Sequence, residues 1–133
     1  MKFNLAASFL LVASALSSPI AEANTAEVNF NRVELADPQN WVAGISLFPS
    51  QIIAGYNAEL DAYTAEQWAD HVLSQCKSFR ACTSTISFAA DNSGDTGGRY
   101  WYGYVFRGGP TTPSNYRRSP RGNVSDSAAY TVA

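Results

Sequence analysis

The side chains able to trade protons in this 133-residue chain are one histidine, His71, and a scatter of carboxylates. Acid–base catalysis needs a base within reach of a nucleophile or a second acid in a pocket. His71 stands between Asp70 and Val72 in a stretch of helical periodicity, where a surface or interfacial histidine is the plainer reading. The enzymatic alternative is a small secreted hydrolase or ribonuclease using His71 with a carboxylate, although one histidine falls short of the set such ribonucleases employ. Glu59, Asp61, Glu66 and Asp70 offer carboxylates for glycoside hydrolysis, yet Glu66 and Asp70 are one helical turn apart on a solvated face. No G-x-S-x-G elbow, phosphate loop or dinucleotide fingerprint is present. Two cysteines and one histidine cannot close a structural zinc site without carboxylate help. The sequence therefore predicts a protein without cofactor or metal, acting by binding.

Residues suited to binding lie in the second half. Tyr100, Tyr102, Tyr104 and Phe106 alternate with Trp101, Gly103 and Val105, so a strand here would carry aromatics on both faces. With Trp101 and Val105 turned to a helix and Gly103 permitting close approach, the three tyrosines form an outward ladder beside Arg99 and Arg107. Exposed tyrosines with flanking arginines suit sugar stacking or a protein partner. Alternatively, the N-terminal strands or the segment 108–122 cover the ladder and make it a second core layer. Arg117-Arg118 is a contact or processing candidate in that Gly-, Pro- and Ser-rich segment, which reads as a long exposed loop. Asn123-Val124-Ser125 is a glycosylation sequon.

The clearest element is a helix. Thr64-x-x-Gln67 reads as a capping box, and Tyr63 with Trp68 as the hydrophobic staple around it. Ala65, Trp68, Ala69, Val72, Leu73 and Cys76 follow the spacing of one buried stripe. Next, Cys82 to Ala89 alternates Cys82, Ser84, Ile86 and Phe88 against Thr83, Thr85 and Ser87, and turn chemistry from Asp91 to Gly98 leads into the aromatic strand. One disulfide, Cys76 to Cys82, is expected in an oxidising compartment, stapling helix to hairpin for on the order of 2–3 kcal/mol. Upstream, Val28 to Leu35 begins as a strand and slips, while Trp41–Phe48 and Ile52–Tyr56 fit a hairpin or a strand followed by a loop. Ala128 to Val132 reads as an edge strand beside the hairpin. The fold class is α+β, one amphipathic helix packed on a small antiparallel sheet.

Residues 1–23 read as a signal peptide: Lys2 in a short charged start, an apolar run from Leu5 to Leu16, and Ala21-Glu22-Ala23 for cleavage. The run is too short to span a bilayer. A single secreted, extracellular domain, 24–133, would remain, expected to be a monomer. Removing Lys2 and Glu22 from 9 basic and 11 acidic residues leaves 8 against 10. The acids concentrate before Gln75 and the bases after it, so the halves either attract each other or form a polyanion-binding face. Overall acidity argues against a nucleic-acid partner.

The order of a helix ending in Cys76, a short gap, Cys82 opening a strand, then an aromatic hairpin resembles the PAN/apple-like modules of small secreted fungal proteins. The Ser127-x-x-Tyr130 ending is similar as well. The resemblance covers roughly residues 55–132. It implies recognition of a host protein or carbohydrate, as in fungal effector-like, virulence-related proteins. Cys76 and Cys82 match that family's inner disulfide. The outer one would need cysteines near Val72 and near Trp101 or Tyr102, where the sequence has none, and an apolar contact between Val72 and an aromatic is expected in its place.

Overall fold

The structure, a computed structural model, describes residues 28–92, 97–120 and 123–133; the signal-peptide reading lies outside these residues. The described chain is α+β. The strands are β1 (Phe30–Arg32), β2 (Trp41–Ala43), β3 (Ile52–Glu59), β4 (Ser84–Asp91), β5 (Arg99–Phe106), β6 (Tyr116–Arg118) and β7 (Ser125–Val132), with one helix, α1 (Ala65–Lys77), between β3 and β4. Five strands form an antiparallel sheet in the order β1-β7-β4-β5-β3, and β2 pairs antiparallel with β6 in a separate ribbon.

Helix α1 starts where the capping box places it. Thr64 Oγ1 accepts the Gln67 amide at 3.1 Å and Gln67 Oε1 accepts the Thr64 amide at 2.9 Å. The Tyr63 and Trp68 rings meet at 5.0 Å between centroids, closing the staple. Trp68, Ala69, Val72 and Cys76 are buried. Cys76 is bonded to Cys82 across six positions.

The stripe meets the sheet along the row where β4 and β5 place Ser87 beside Gly103. A Cβ on Gly103 would lie 2.4 Å from Val72 Cγ2, so the valine occupies the space a side chain would need. Val72 thus packs on Gly103, within a buried cluster that also holds Trp68 and Trp101. Trp68 reaches past it to donate Nε1–H to the Tyr102 carbonyl at 2.9 Å. Trp101 donates to the carbonyls of Leu60 and Tyr63.

This seating decides which face of β4 lies under the helix. Its apolar Ile86 and Phe88 face away from the helix, while the helix covers the row of Thr85, Ser87 and Ala89. Every residue from Ser84 to Ala90 is buried. The hydroxyls are satisfied by β7: Thr85 Oγ1 accepts the Tyr130 amide at 3.1 Å, and Ser87 Oγ donates to the Ala128 carbonyl at 3.3 Å. Small hydroxylated side chains let a helix approach closely, and they cost little once bonded.

The opposite face has its own core. Val33, Leu35, Leu47, Ile86, Phe88, Phe106, Tyr116 and Ala129 cluster beneath the β2–β6 ribbon. Residues 108–120, the described part of the segment 108–122, are therefore not simply an exposed loop: Thr111 and Tyr116 are buried, and a 3-10 turn at Pro113–Asn115 leads into β6. The runs around Trp41 and Ile52 are not a hairpin, because β2 and β3 enter different sheets. Nor is β7 an edge strand, since β1 pairs along its outer side. Ser127 Oγ pins ribbon to sheet, accepting the Trp41 amide at 2.8 Å and donating to the Trp41 carbonyl at 2.7 Å.

Gly103→Ala will push the new methyl into Val72 and lower stability by about 1–3 kcal/mol, read as a shift in the denaturant midpoint. Val72→Ala in the same chain will recover part of the loss. A neutral single variant would show that the helix is not seated on this glycine.

Candidate functional site

By register, Tyr100, Tyr102 and Tyr104 share the sheet face opposite the helix, and the helix-facing side of β5 carries Trp101, Gly103 and Val105. The ladder is neither fully outward nor fully covered. All three tyrosines are half-buried; the β2–β6 ribbon and Phe88 shelter them in part. Tyr102 and Tyr104 lie 6.0 and 6.4 Å from the Phe88 ring, and Tyr104 meets Phe48 edge-on at 5.5 Å. Burial, followed by the neighbouring Tyr102, raises the Tyr104 hydroxyl above its ordinary value.

Strand β3 completes the face. It sets Gly55 beside Tyr104, Asn57 beside Tyr102 and Glu59 beside Tyr100. Gly55 leaves room for the Tyr104 ring, whose Cε1 would sit 3.0 Å from a Cβ there. Asn57 and Glu59 are exposed, giving an amide and a carboxylate alongside the rings.

A depression lies at each end of the row. Beyond Tyr104, a hollow of about 200 Å³ is lined by Val42, Ala43, Phe48, Phe88, Tyr104 and Arg117. Beside Tyr100, a broad cleft of about 510 Å³ is lined by Glu59, Leu60, Asp61, Gly97, Gly98, Arg99 and Tyr100. The strip between them covers about 13 Å at the usual rise of a strand.

The arginines part company. Arg117 is exposed and joins the hollow beside Tyr104. Arg118 is held: its guanidinium lies 4.2 Å over the Trp41 ring and donates to Asn40 Oδ1 at 2.6 Å and to the Asp37 and Pro38 carbonyls. It closes the turn before β2. Arg107 is exposed at the far end of β5, where its amide bonds the Gln51 carbonyl at 2.9 Å. Arg99 bonds Asp91, Ser125 and the carbonyls of Ala89 and Asn123. The sequon residue Asn123 is half-buried and lends its carbonyl to that guanidinium.

Among the described residues, the two ion pairs are Arg32–Glu66 and Arg99–Asp91. Each joins partners from the same half of the sequence, so neither links the acidic half to the basic one. His71 is half-buried among rings, at 5.3 Å from both Trp68 and Tyr63 and 6.5 Å from Tyr56. No cluster of His, Cys, Asp or Glu suited to a metal occurs among the described residues, and no described helix is long and apolar enough to cross a membrane.

The sequence did not single out Phe48, Gly55 or Asn57. Gly55 and Asn57 reach the site because β3 crosses to pair with β5, a long-range pairing without a local signal, and Phe48 reaches it from the turn before β3. Comparisons with protein-family models, with curated proteins and with solved structures find no match.

Tyr116, the first residue of β6 in the ribbon that frames the hollow, donates to the Thr85 carbonyl at 3.2 Å and takes a bond from Thr111 Oγ1 at 2.9 Å. Burial pushes its hydroxyl from 10.0 up to about 12, the Thr111 bond opposing. The unfolded chain ionises near 10 while the folded one stays neutral. Its contribution is thus full below pH 10 and lost between about 10 and 12, on the order of 2–3 kcal/mol. Urea unfolding across that window will show the decline, and Tyr116→Phe will flatten it; an unchanged slope in the variant would exclude Tyr116 as the cause.

Proposed function

We propose that the chain is a secreted, non-enzymatic binding protein that holds an extended ligand along the Tyr100–Tyr104 strip. The observation that carries this reading is the tyrosine row running between two depressions, with Asn57 and Glu59 alongside and Arg117 at one end. Half-exposed rings with amide, carboxylate and guanidinium groups beside them suit a short oligosaccharide, whose apolar faces stack on tyrosine and whose hydroxyls bond the polar fringe. A host protein is the second reading. It is favoured by the exposure of Ile45, 88%, and Phe48, 43%, on the turn beside the hollow. In either case the role is of the effector-like kind that the PAN/apple resemblance implies, supported by the Cys76–Cys82 bridge between the helix and the segment entering β4.

The test is capture of extracellular host glycans and proteins by the oxidised chain. Tyr102→Ala and Arg117→Ala will each weaken retention by about tenfold, roughly 1.4 kcal/mol. Asp70→Ala, on the helix, will leave it unchanged. Equal retention by all variants would remove the strip from the account. Turnover of a substrate abolished by His71→Ala would replace it with the hydrolase reading.

A further inference from the structure

Register brings one end of every strand of the large sheet to a common pole. Ser84 at the start of β4 lies between Phe106 at the end of β5 and Thr131 near the end of β7. Ile52 at the start of β3 pairs with Phe106, and Phe30 at the start of β1 pairs with Val132. Helix α1 delivers its last turn here too, because Cys76 is bonded to Cys82, two positions before β4. Strand β2 points the same way: Trp41 is held at Ser127, while Tyr116, the partner of Ala43, reaches the Thr85 carbonyl. The turn that follows, 44–51, closes at this pole, where the Gln51 carbonyl accepts the Arg107 amide.

The segments that meet here, 28–30, 44–52, 77–84, 106–116 and 131–133, contain Lys77, Arg80 and Arg107 and no aspartate or glutamate. All three bases are exposed, and the two ion pairs of the described residues do not use them. The far ends of the same strands are acidic. Glu59 closes β3, Asp61 follows it and Asp126 lies at the start of β7, while Asp91 is matched by Arg99. Charge is thus separated along the strands.

The basic pole also holds apolar side chains in water. Val28, Ile45, Phe48 and Phe79 are four of the five large apolar residues exposed among the described residues; Leu60, the fifth, is at the acidic end. Ile45 and Phe79 are kept there by fixed backbone. On either side of Ile45, the Gly44 amide donates to the Asn115 carbonyl at 2.9 Å and Ser46 Oγ accepts from Asn115 Nδ2 at 3.0 Å, and Leu47 is buried beneath. Phe79 sits in the disulfide-closed loop, its amide bonded to the Cys76 carbonyl at 2.9 Å and its carbonyl to the Cys82 amide at 3.1 Å. An apolar tip already fixed in water gains by burial with little further ordering cost.

We propose that this pole docks on an anionic lipid bilayer, Ile45 and Phe79 entering the headgroup layer and Lys77, Arg80 and Arg107 meeting the lipid anions. Charge selects the surface and orients the molecule, since the acidic pole is repelled. The apolar tips supply the part of the binding that salt does not screen, as in proteins that lie on a membrane without crossing it. A lipid layer takes separate tips one by one, whereas a folded partner needs them joined in one patch, and a soluble polyanion gains nothing from them. The strands then stand upright on the bilayer, and the tyrosine strip stays open at the side.

Co-sedimentation of the oxidised, secreted chain with phosphatidylcholine vesicles carrying about one-third phosphatidylserine tests the docking. The wild type will bind these and not pure phosphatidylcholine, and about 0.5 M salt will lower the bound fraction severalfold. Ile45→Asp and Phe79→Asp will each lower the partition coefficient at least about fivefold, as will Lys77→Glu with Arg80→Glu; circular dichroism will be unchanged, because these side chains are exposed. Tyr102→Ala, which weakens capture at the strip, will leave vesicle binding as it was. Hydrogen exchange will slow at residues 44–48 and 77–81 when vesicles are added. A wild type that does not co-sediment overturns the proposal, as does vesicle binding that falls with the charge reversals and is indifferent to both aspartate substitutions. Retention on a sulfated oligosaccharide without vesicle binding also overturns it.

Discussion

Val72 resting on Gly103 is the contact from which the rest of the architecture follows. It sets the helix at the closest approach the sheet permits, and it does so in the middle of the β4–β5 pair rather than at an edge. Around it, Trp68 and Trp101 extend the apolar contact, while the Cys76–Cys82 bridge holds the last helical turn to the segment entering β4. The rows flanking the contact are Thr85, Ser87 and Ala89, small enough to lie under a helix and bonded to β7 where they are polar. Lost dispersion contacts around any enlarged residue would spread through this close-packed layer.

Seating the helix on that side commits Ile86, Phe88 and Phe106 to the other. Those residues need a second cover, which the β2–β6 ribbon supplies, fixed by Ser127 on Trp41 and by Arg118 over the Trp41 ring. The ribbon is three residues long on each strand, too short to cover a five-stranded sheet. What it leaves half-covered is the β5–β3 side, where the tyrosines stand. The exposure of the strip is thus a consequence of how little chain is given to the second layer, and the proposed ligand face and the helix face are opposite sides of one strand.

The elements with local signals were legible in the sequence. The capping box at Thr64 and Gln67, the stripe ending at Cys76, the disulfide, and the alternation of Tyr100 to Phe106 all rest on contacts or periodicities within a few residues. Gly103 as the point of close approach was legible too, because a glycine between two apolar strand positions has few other uses. What was hidden depended on partners far along the chain. The burial of Thr85 and Ser87 under the helix had no local signal, because the acceptors and donors of their hydroxyls lie more than 40 positions away, on β7. Tyr116 to Arg118 looked like loop because three residues carry no period; only pairing with Trp41 to Ala43 makes them a strand. Arg117 and Arg118 were indistinguishable in sequence, yet register turns one to the hollow and the other to Trp41.

The face opposite the helix is the one we propose to bind ligand. Backbone amide shift mapping with a captured glycan or peptide tests it most directly. Perturbations are expected at Gly55, Asn57, Glu59, Tyr100, Tyr102, Tyr104 and Arg117, with α1 silent. Shifts concentrated on α1 around His71, with the tyrosine strip unmoved, would contradict it.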